Sequence, residues 1–260
     1  VPEGVAADTI TVGFNDAAAV AAAIAENPGE VAAIIVEPVA GNMGAVPPVD
    51  DFLPRLRQLA TSNGIVLIFD EVITGFRVAR GGAQEQFGVT PDLTCLGKII
   101  GAGLPVGAYG GKREIMSEVS PLGRKITQAG TLSGNPLAMH AGLSQLRELA
   151  KPGAYERLDA ISTALQDGLA ANLRRFGLHA QLTRVGAMLC LFFTDRTVRD
   201  FATASTADTE RFSRFFWANQ ERGVYLAPSQ FECMFPSLAH SDADIDRTIE
   251  VNYEALKAVM

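Results

Sequence analysis

Ile65-Val-Leu-Ile-Phe-Asp70-Glu71-Val72 and, further on, Thr94-Cys-Leu-Gly97-Lys98 are the stretches that decide the fold. A short unbroken apolar run that ends in a carboxylate suits a strand buried on both faces of a parallel sheet. The same pattern occurs at Val31 to Val36, ending in Glu37-Pro38, and at Leu93 to Leu96, ending in Gly97-Lys98. Val106 to Tyr109 adds a further short strand. Between the runs, Asp50 or Asp51 starts a helix that carries Leu53, Leu56 and Ala60 on one face, with Pro54 tolerable in its first turn. Upstream, Asn15 is expected to cap a helix through Asp16 to Glu26. Helix and buried strand in alternation predict an open α/β sheet with ligands at the C-terminal ends of its strands.

The second half has a different pattern. Pro136 to Leu149 and Ala154 to Phe176 read as long helices, and Leu178 to Leu182 and Met188 to Phe193 as antiparallel strands. Thr206 to Arg222 reads as a helix with Phe212, Phe215 and Phe216 in the core. Ser241-Asp-Ala-Asp244 starts a last helix with Ile245, Ile249, Asn252, Leu256 and Val259 along one side. This is an α+β unit, and the boundary is expected near Lys151-Pro152-Gly153, giving domains 1–150 and 151–260.

Bulk properties narrow the function. The chain has 260 residues, 48% of them hydrophobic, enough for one large or two small cores. A net charge of −7 argues against nucleic acid or an anionic membrane as partner. No apolar run reaches the ~18 residues of a membrane helix. The start, Val1-Pro-Glu-Gly, has neither the basic region nor the apolar stretch of a signal peptide. Cys95, Cys190 and Cys233 are odd in number and far apart, as expected of reduced thiols in a cytoplasmic setting, most simply as buried small hydrophobes. His140, His179 and His240 lack metal-ligand spacing, so no metal is expected.

The chemistry-bearing residues admit more than one use. Asp70-Glu71 after an apolar strand also fits the magnesium-holding strand of P-loop ATPases. No P-loop accompanies it: Gly97-Lys98 is followed by Ile99 where Ser or Thr is required, and Asp92 stands where the first glycine should be. Asp70 could also cap the next helix. Lys98 could be a solvated surface lysine. It lies in a predominantly apolar stretch, however, and a buried amine has its pKa lowered, which frees it for imine formation. A carboxylate for a protonated pyridine nitrogen and an amine for a carbonyl are what pyridoxal phosphate requires of a protein. The glycines from Gly101 to Gly111 do not form G-x-G-x-x-G and more simply permit close backbone packing. Gly130-Thr131-Leu-Ser133-Gly134-Asn135-Pro136 offers a hydroxyl and free amides before a helix, suited to a phosphate or to an ordinary capped helix start. Glu232, among apolar neighbours, is either a surface charge or a working acid. Ser133 is not in a nucleophile elbow, so hydrolysis has no support.

FDEVITGFR, GGAQEQFGVTPDL, LGKIIGAGLPVGAYGGKREIM and QAGTLSGNPLAM, between Leu67 and Leu137, closely resemble the glutamate-1-semialdehyde 2,1-aminomutases, class III aminotransferases of the type I PLP-dependent fold. The resemblance resumes from Leu226 to His240 and is weakest between about Lys151 and Glu221. It implies a partial large domain with a mainly parallel sheet, followed by a small α+β domain. It implies an amine moved from C2 to C1 of a five-carbon amino-aldehyde, giving 5-aminolevulinate for tetrapyrroles, with pyridoxal and pyridoxamine 5'-phosphate as cofactor forms. Lys98 would be the Schiff-base lysine and proton shuttle, and Asp70 the partner of the ring nitrogen. Val72 would pack on a ring face. Gly130 and Thr131 would serve the cofactor phosphate of the other subunit in a homodimer, and Glu232 would lie near the cofactor.

The family continues after this glutamate with Ala-Gly-Phe, whereas here Cys233-Met234-Phe235 follows, and Met234 in place of glycine puts the local backbone in question. Many other class III aminotransferases place a carboxylate-binding arginine in this region; here Arg222 is the nearby candidate, expected at the surface of a helix end. The first residue is Val, so the chain is expected to be the C-terminal piece of a longer enzyme. By the resemblance, a phosphate-binding Ser/Gly turn, a ring-stacking aromatic and a substrate-binding arginine would lie upstream. Two rivals stay open: a class III aminotransferase acting on another amino acid, and a truncated, non-catalytic chain.

Overall fold

A computed structural model describes residues 1–119 and 126–260. Helices α1 (Glu3–Ala7) and α2 (Ala17–Glu26) precede β1 (Ala33–Val36), α3 (Phe52–Asn63), β2 (Val66–Asp70), α4 (Gly82–Phe87), β3 (Leu93–Leu96), β4 (Ala108–Gly111) and α5 (Arg113–Met116). The second half holds α6 (Pro136–Leu149), α7 (Ala154–Phe176), β5 (Gln181–Val185), β6 (Met188–Phe192), α8 (Phe201–Ala204), α9 (Thr209–Gln220) and α10 (Asp242–Ala258).

The first four strands form one sheet in the order β1-β2-β3-β4. The first three are parallel and β4 is antiparallel to β3. Parallel alignment puts Glu37, Asp70 and Gly97-Lys98, which follow or close their strands, on one edge of the sheet. Helix α3 crosses from β1 to β2 and buries Phe52, Leu53, Leu56 and Ala60 in a cluster with Leu67 and Phe69. Each large side chain so buried contributes on the order of 2 kcal/mol. Gly64, at φ 68°, ends the helix in a left-handed cap, and β2 follows at once.

Asp92, at the entrance to β3, fastens this sheet from the opposite edge. Its side chain is 6% exposed and meets Arg57 Nη1 at 2.9 Å and Lys112 Nζ at 2.6 Å. The Leu67 amide donates to it at 2.7 Å. Burial alone would push its carboxyl up, but Lys112, the Leu67 amide and Arg57 together hold it down at about 2, against an ordinary 3.8. Because the native pKa is depressed, the stabilisation is present above the unfolded value and is lost as pH falls through about 2. Asp92→Asn should therefore cost roughly 2 kcal/mol at neutral pH and flatten the acid limb of the stability curve. Urea titrations of wild type and variant at pH 7 and pH 3 check this; equal midpoints at pH 7 would contradict it.

In the second half, β5 and β6 form an antiparallel hairpin closed at Gly186, φ 53°. One face of β6 packs Leu191 and Phe193 against Phe212, Phe215 and Phe216 of α9 and Leu256 of α10. The other face turns Met188, Cys190 and Phe192 toward Val39, Val46, Ile73 and Val78 of the first half. A buried cluster thus crosses the Lys151–Gly153 connection.

Several elements begin elsewhere than the sequence pattern predicts. Helix α2 is capped by Asp16, whose carboxylate accepts from the Ala19 amide at 2.8 Å. Asn15 is not the cap: it sits at φ 64° and its amide group bonds Pro47 O, Arg199 O and Val49 N. Strand β5 starts at Gln181 rather than Leu178, because the Leu178 amide closes the end of α7 onto Leu173 O beyond the left-handed Gly177. Strand β4 starts at Ala108, two residues late, and runs to Gly111, where a side chain would collide with the Asp92 carbonyl. Helix α9 starts at Thr209, capped by Asp208, because Thr206 instead closes a turn onto Thr203. Ser241 and Asp244 form the expected reciprocal cap of α10.

Candidate active site

Asp70 closes β2 directly opposite Cys95 of β3. It is half-buried, and one oxygen accepts the Val72 amide at 3.1 Å, which aims the carboxylate along the strand ends. Its charge reaches the neighbouring strand: burial, and then Asp70, push the Cys95 thiol up from its ordinary value. Beyond Cys95 the backbone extends through Gly97 to Lys98. A Cβ on Gly97 would stand 3.2 Å from Val72 Cγ1, so glycine at this position leaves room for the Val72 side chain. Asp70, Val72 and Lys98 are thereby gathered on neighbouring strand ends.

Lys98 sits at φ 45° and opens a short 3-10 turn, Lys98–Gly101. Its side chain is exposed, which corrects the expectation of a buried amine. The physical reason is local. Gly97 and Gly101 are buried and Ile99 and Ile100 half-buried, while the left-handed residue between strand and turn projects away from that packing.

Helix α6 lies directly against this turn. Gly142 has no room for a side chain, because a Cβ would collide with the Ile100 carbonyl. The helix starts at Asn135, whose side chain accepts the Ala138 amide at 2.9 Å, so the capped helix start is observed. Gly130 and Thr131 stand exposed in the turn before it, closed by Ser133 N on Gly130 O at 3.0 Å. Among the described residues, nothing ties them to Asp70 or Lys98.

Glu232 is exposed, and the segment that carries it is fastened to the same sheet edge from above. Phe231 O accepts Gly44 N at 2.7 Å, Cys233 Sγ lies 3.7 Å from Gly41 O, and Pro236 O accepts Arg77 Nη1 at 3.0 Å. The Arg77 guanidinium also stacks 5.1 Å from the centroid of the Phe235 ring. Met234 creates no backbone difficulty: it exchanges two hydrogen bonds with Leu189, 3.0 and 2.8 Å, as an ordinary ladder residue. Arg222 lies exposed after α9 and bonds Ala218 O within its own turn.

Two carboxylates were passed over by the sequence pattern. Glu71 is 1% exposed and accepts Thr74 Oγ1, the Ala83 and Gln84 amides, and Gln84 Nε2, at 2.6 to 3.2 Å. It is Glu71, not Asp70, that caps the following helix, which leaves Asp70 free for the site. Glu37, one residue past β1, holds the Gly41 amide at 2.8 Å and Asn42 Nδ2 at 2.9 Å. An acid just beyond a strand at the ligand edge is the signal that marks Asp70, and it would have marked Glu37 too. Among the described residues, no three His, Cys, Asp or Glu side chains stand together as a metal set. No helix there is long and apolar enough to cross a membrane.

The class III aminotransferase family matches residues 5–256. Over 257 residues the chain is 60% identical to glutamate-1-semialdehyde 2,1-aminomutase 2 of Brevibacillus brevis, covering 99% of this chain and 60% of that protein. It is 56% identical to the glutamate-1-semialdehyde 2,1-aminomutase of Chloroherpeton thalassium, covering 99% and 59%. The chain thus spans about three-fifths of the curated relatives' length. Its fold is similar to that of an omega-transaminase from Sphaerobacter thermophilus, with TM-score 0.93, 34% identity and coverage of 99% and 59%. It is also similar to a glutamate-1-semialdehyde-aminomutase from Pseudomonas aeruginosa in complex with PMP, with TM-score 0.85, 27% identity and coverage of 96% and 56%.

Proposed function

The chain belongs to the class III aminotransferases, and from that premise we propose that it carries the lysine and aspartate of a pyridoxal 5'-phosphate enzyme converting glutamate-1-semialdehyde to 5-aminolevulinate. The observation that carries this is the neighbouring strand ends: Asp70 closes β2, and β3 beside it leads through Gly97 to Lys98. Their chemistry fits the cofactor. A carboxylate with only one oxygen engaged could take a protonated ring nitrogen, Val72 beside Gly97 would give an apolar wall for a ring face, and Lys98 would present an amine to a carbonyl.

When bound, the cofactor supplies an electron-withdrawing ring that stabilises negative charge at the adjacent substrate carbon. Asp70 keeps the proton on the ring nitrogen. Lys98 holds the cofactor through its amine and carries protons to and from the substrate carbons. Glu232 overhangs this edge as an acid for the substrate. Gly130 and Thr131 hold the phosphate bound to a neighbouring subunit. A homodimer is part of the same reading. The proposed organisation is a cofactor domain to residue 150 and a small domain from 151. The proposed partner is a small amino-aldehyde and the proposed compartment the cytoplasm.

The curated relatives at 53–60% identity carry the aminomutase name, which favours that reaction over ordinary transamination. The similarity to the omega-transaminase keeps an aminotransferase for another amino acid as the second reading. The two differ in amine supply. An aminomutase recycles its own amine, so the full-length protein charged with pyridoxamine phosphate should form 5-aminolevulinate with no other amino donor and no keto acid. Product that appears only when both are added would establish the aminotransferase instead.

A further inference from the structure

The bridge between β6 and the Glu232 segment sets two cysteines face to face. Leu189 N donates to Met234 O at 3.0 Å and Met234 N to Leu189 O at 2.8 Å, so these two residues form a doubly bonded antiparallel pair. The bridge is isolated, and Cys190 and Cys233 are the next residues beyond it on the two segments, where an antiparallel pairing sets side chains opposite one another. Both thiols emerge on the same side. Cys190 and Cys233 belong to the cluster with Met188 and Phe192, whereas Leu191 and Met234 face α9 and α10. Cys190 Sγ lies 3.6 Å from Glu232 O and 3.7 Å from Gln230 O, against the segment that carries its counterpart. Residues opposed in this way stand about 4.5 Å apart at Cα in a regular antiparallel pairing, within the roughly 4.4–6.8 Å a disulfide spans.

We propose that Cys190 and Cys233 are a redox modification site, closed by a low-molecular-weight disulfide into an intrachain bond that ties β6 to residues 230–236. One cysteine thiolate attacks the oxidant and releases one small thiol. The second cysteine then displaces the other small thiol from the mixed disulfide. Two S–H bonds give way to one S–S bond within the protein, and the oxidant leaves as two thiols carrying the two electrons and two protons. Both side chains are buried, at 2% and 4% exposure. Burial pushes the Cys190 thiol up to about 12 and Cys233 higher still. Thiolate is therefore scarce, and the exchange proceeds slowly, through local opening of the 230–236 segment. Once formed, the bond is shielded from reductants by the same packing. Cys95 lies in the other half, on β3, and takes no part.

The test uses the full-length protein incubated with excess oxidised glutathione, alkylated, and digested without reductant. The expected result is a peptide pair joining Cys190 to Cys233, separated by later reduction, with Cys95 alkylated. Cys190→Ser should abolish the pair and leave Cys233 unlinked. Should that variant fail to fold, Cys233→Ala serves the same purpose from the other segment. Recovery of both cysteines as alkylated thiols, when brief urea exposure during oxidation does join them, would overturn the proposal for the native fold. So would a principal cross-link through Cys95.

Discussion

Replacing Lys98 by alanine in the full-length protein is expected to lower turnover by ~10⁴-fold or more with little change in stability. The side chain is exposed, and among the described residues it forms no ion pair. Within the described part of these 260 residues its loss removes no packing and strands no buried charge. On the proposed role, what is lost is the amine that would hold the cofactor and relay protons, which no other residue of the Gly97–Gly101 turn carries. A rate loss of that size corresponds to ~5 kcal/mol of transition-state stabilisation. Single-turnover kinetics with thermal unfolding as the control would measure it. Turnover within tenfold of wild type, or borohydride fixing the cofactor to another lysine, would remove Lys98 from its role.

Asp70→Asn is the second large effect, on the order of 10³-fold in kcat. The structure makes this a clean exchange. The one bond recorded for the carboxylate, from the Val72 amide, can be accepted equally well by the carboxamide oxygen. Backbone and packing should persist, whereas the negative charge opposite the ring nitrogen disappears. Cofactor absorbance should remain and turnover should fall. Turnover within about threefold of wild type, with cofactor bound, would mean that Asp70 does not face the nitrogen. The same exchange at Glu71 would behave differently, because four donors converge on that buried carboxylate and the damage would appear as lost stability.

How much of this was legible in the sequence depended on the range of the interactions. The strands ending at Val36, Asp70 and Leu96, the helices from Pro136 to Leu149 and from Ala154 to Phe176, and the Ser241 cap all express periodicity or chemistry within a few residues, and the structure has them in place, but burial on both faces does not hold for β1, where Ile35 is 65% exposed, or for β3, which is half-buried throughout. Asn15 was misjudged because its partners, Pro47, Val49 and Arg199, are distant in the chain. Glu71 was overlooked because its ligands lie beyond the intervening turn, in a helix too short to show a face. The exposure of Lys98 was hidden for a different reason. Its neighbours are apolar, and only the sign of one dihedral angle turns its side chain outward. Gathering Glu232 onto the same edge depends on Gly41, Gly44 and Arg77, none of which advertises a partner so far along the chain.

That dihedral angle implies a trade. At φ 45° a residue with a Cβ is held in a conformation about 1 kcal/mol less favourable than glycine would find it. Glycine already flanks the position at Gly97 and again at Gly101. The fold would therefore gain from a glycine at position 98, and the chain instead keeps a long cationic side chain that its own backbone disfavours. Asn15, Asp50, Phe76 and Ala102 take a positive φ too, but on the proposed role of Lys98 position 98 is the one among them where selection for chemistry and selection for folding would pull in opposite directions.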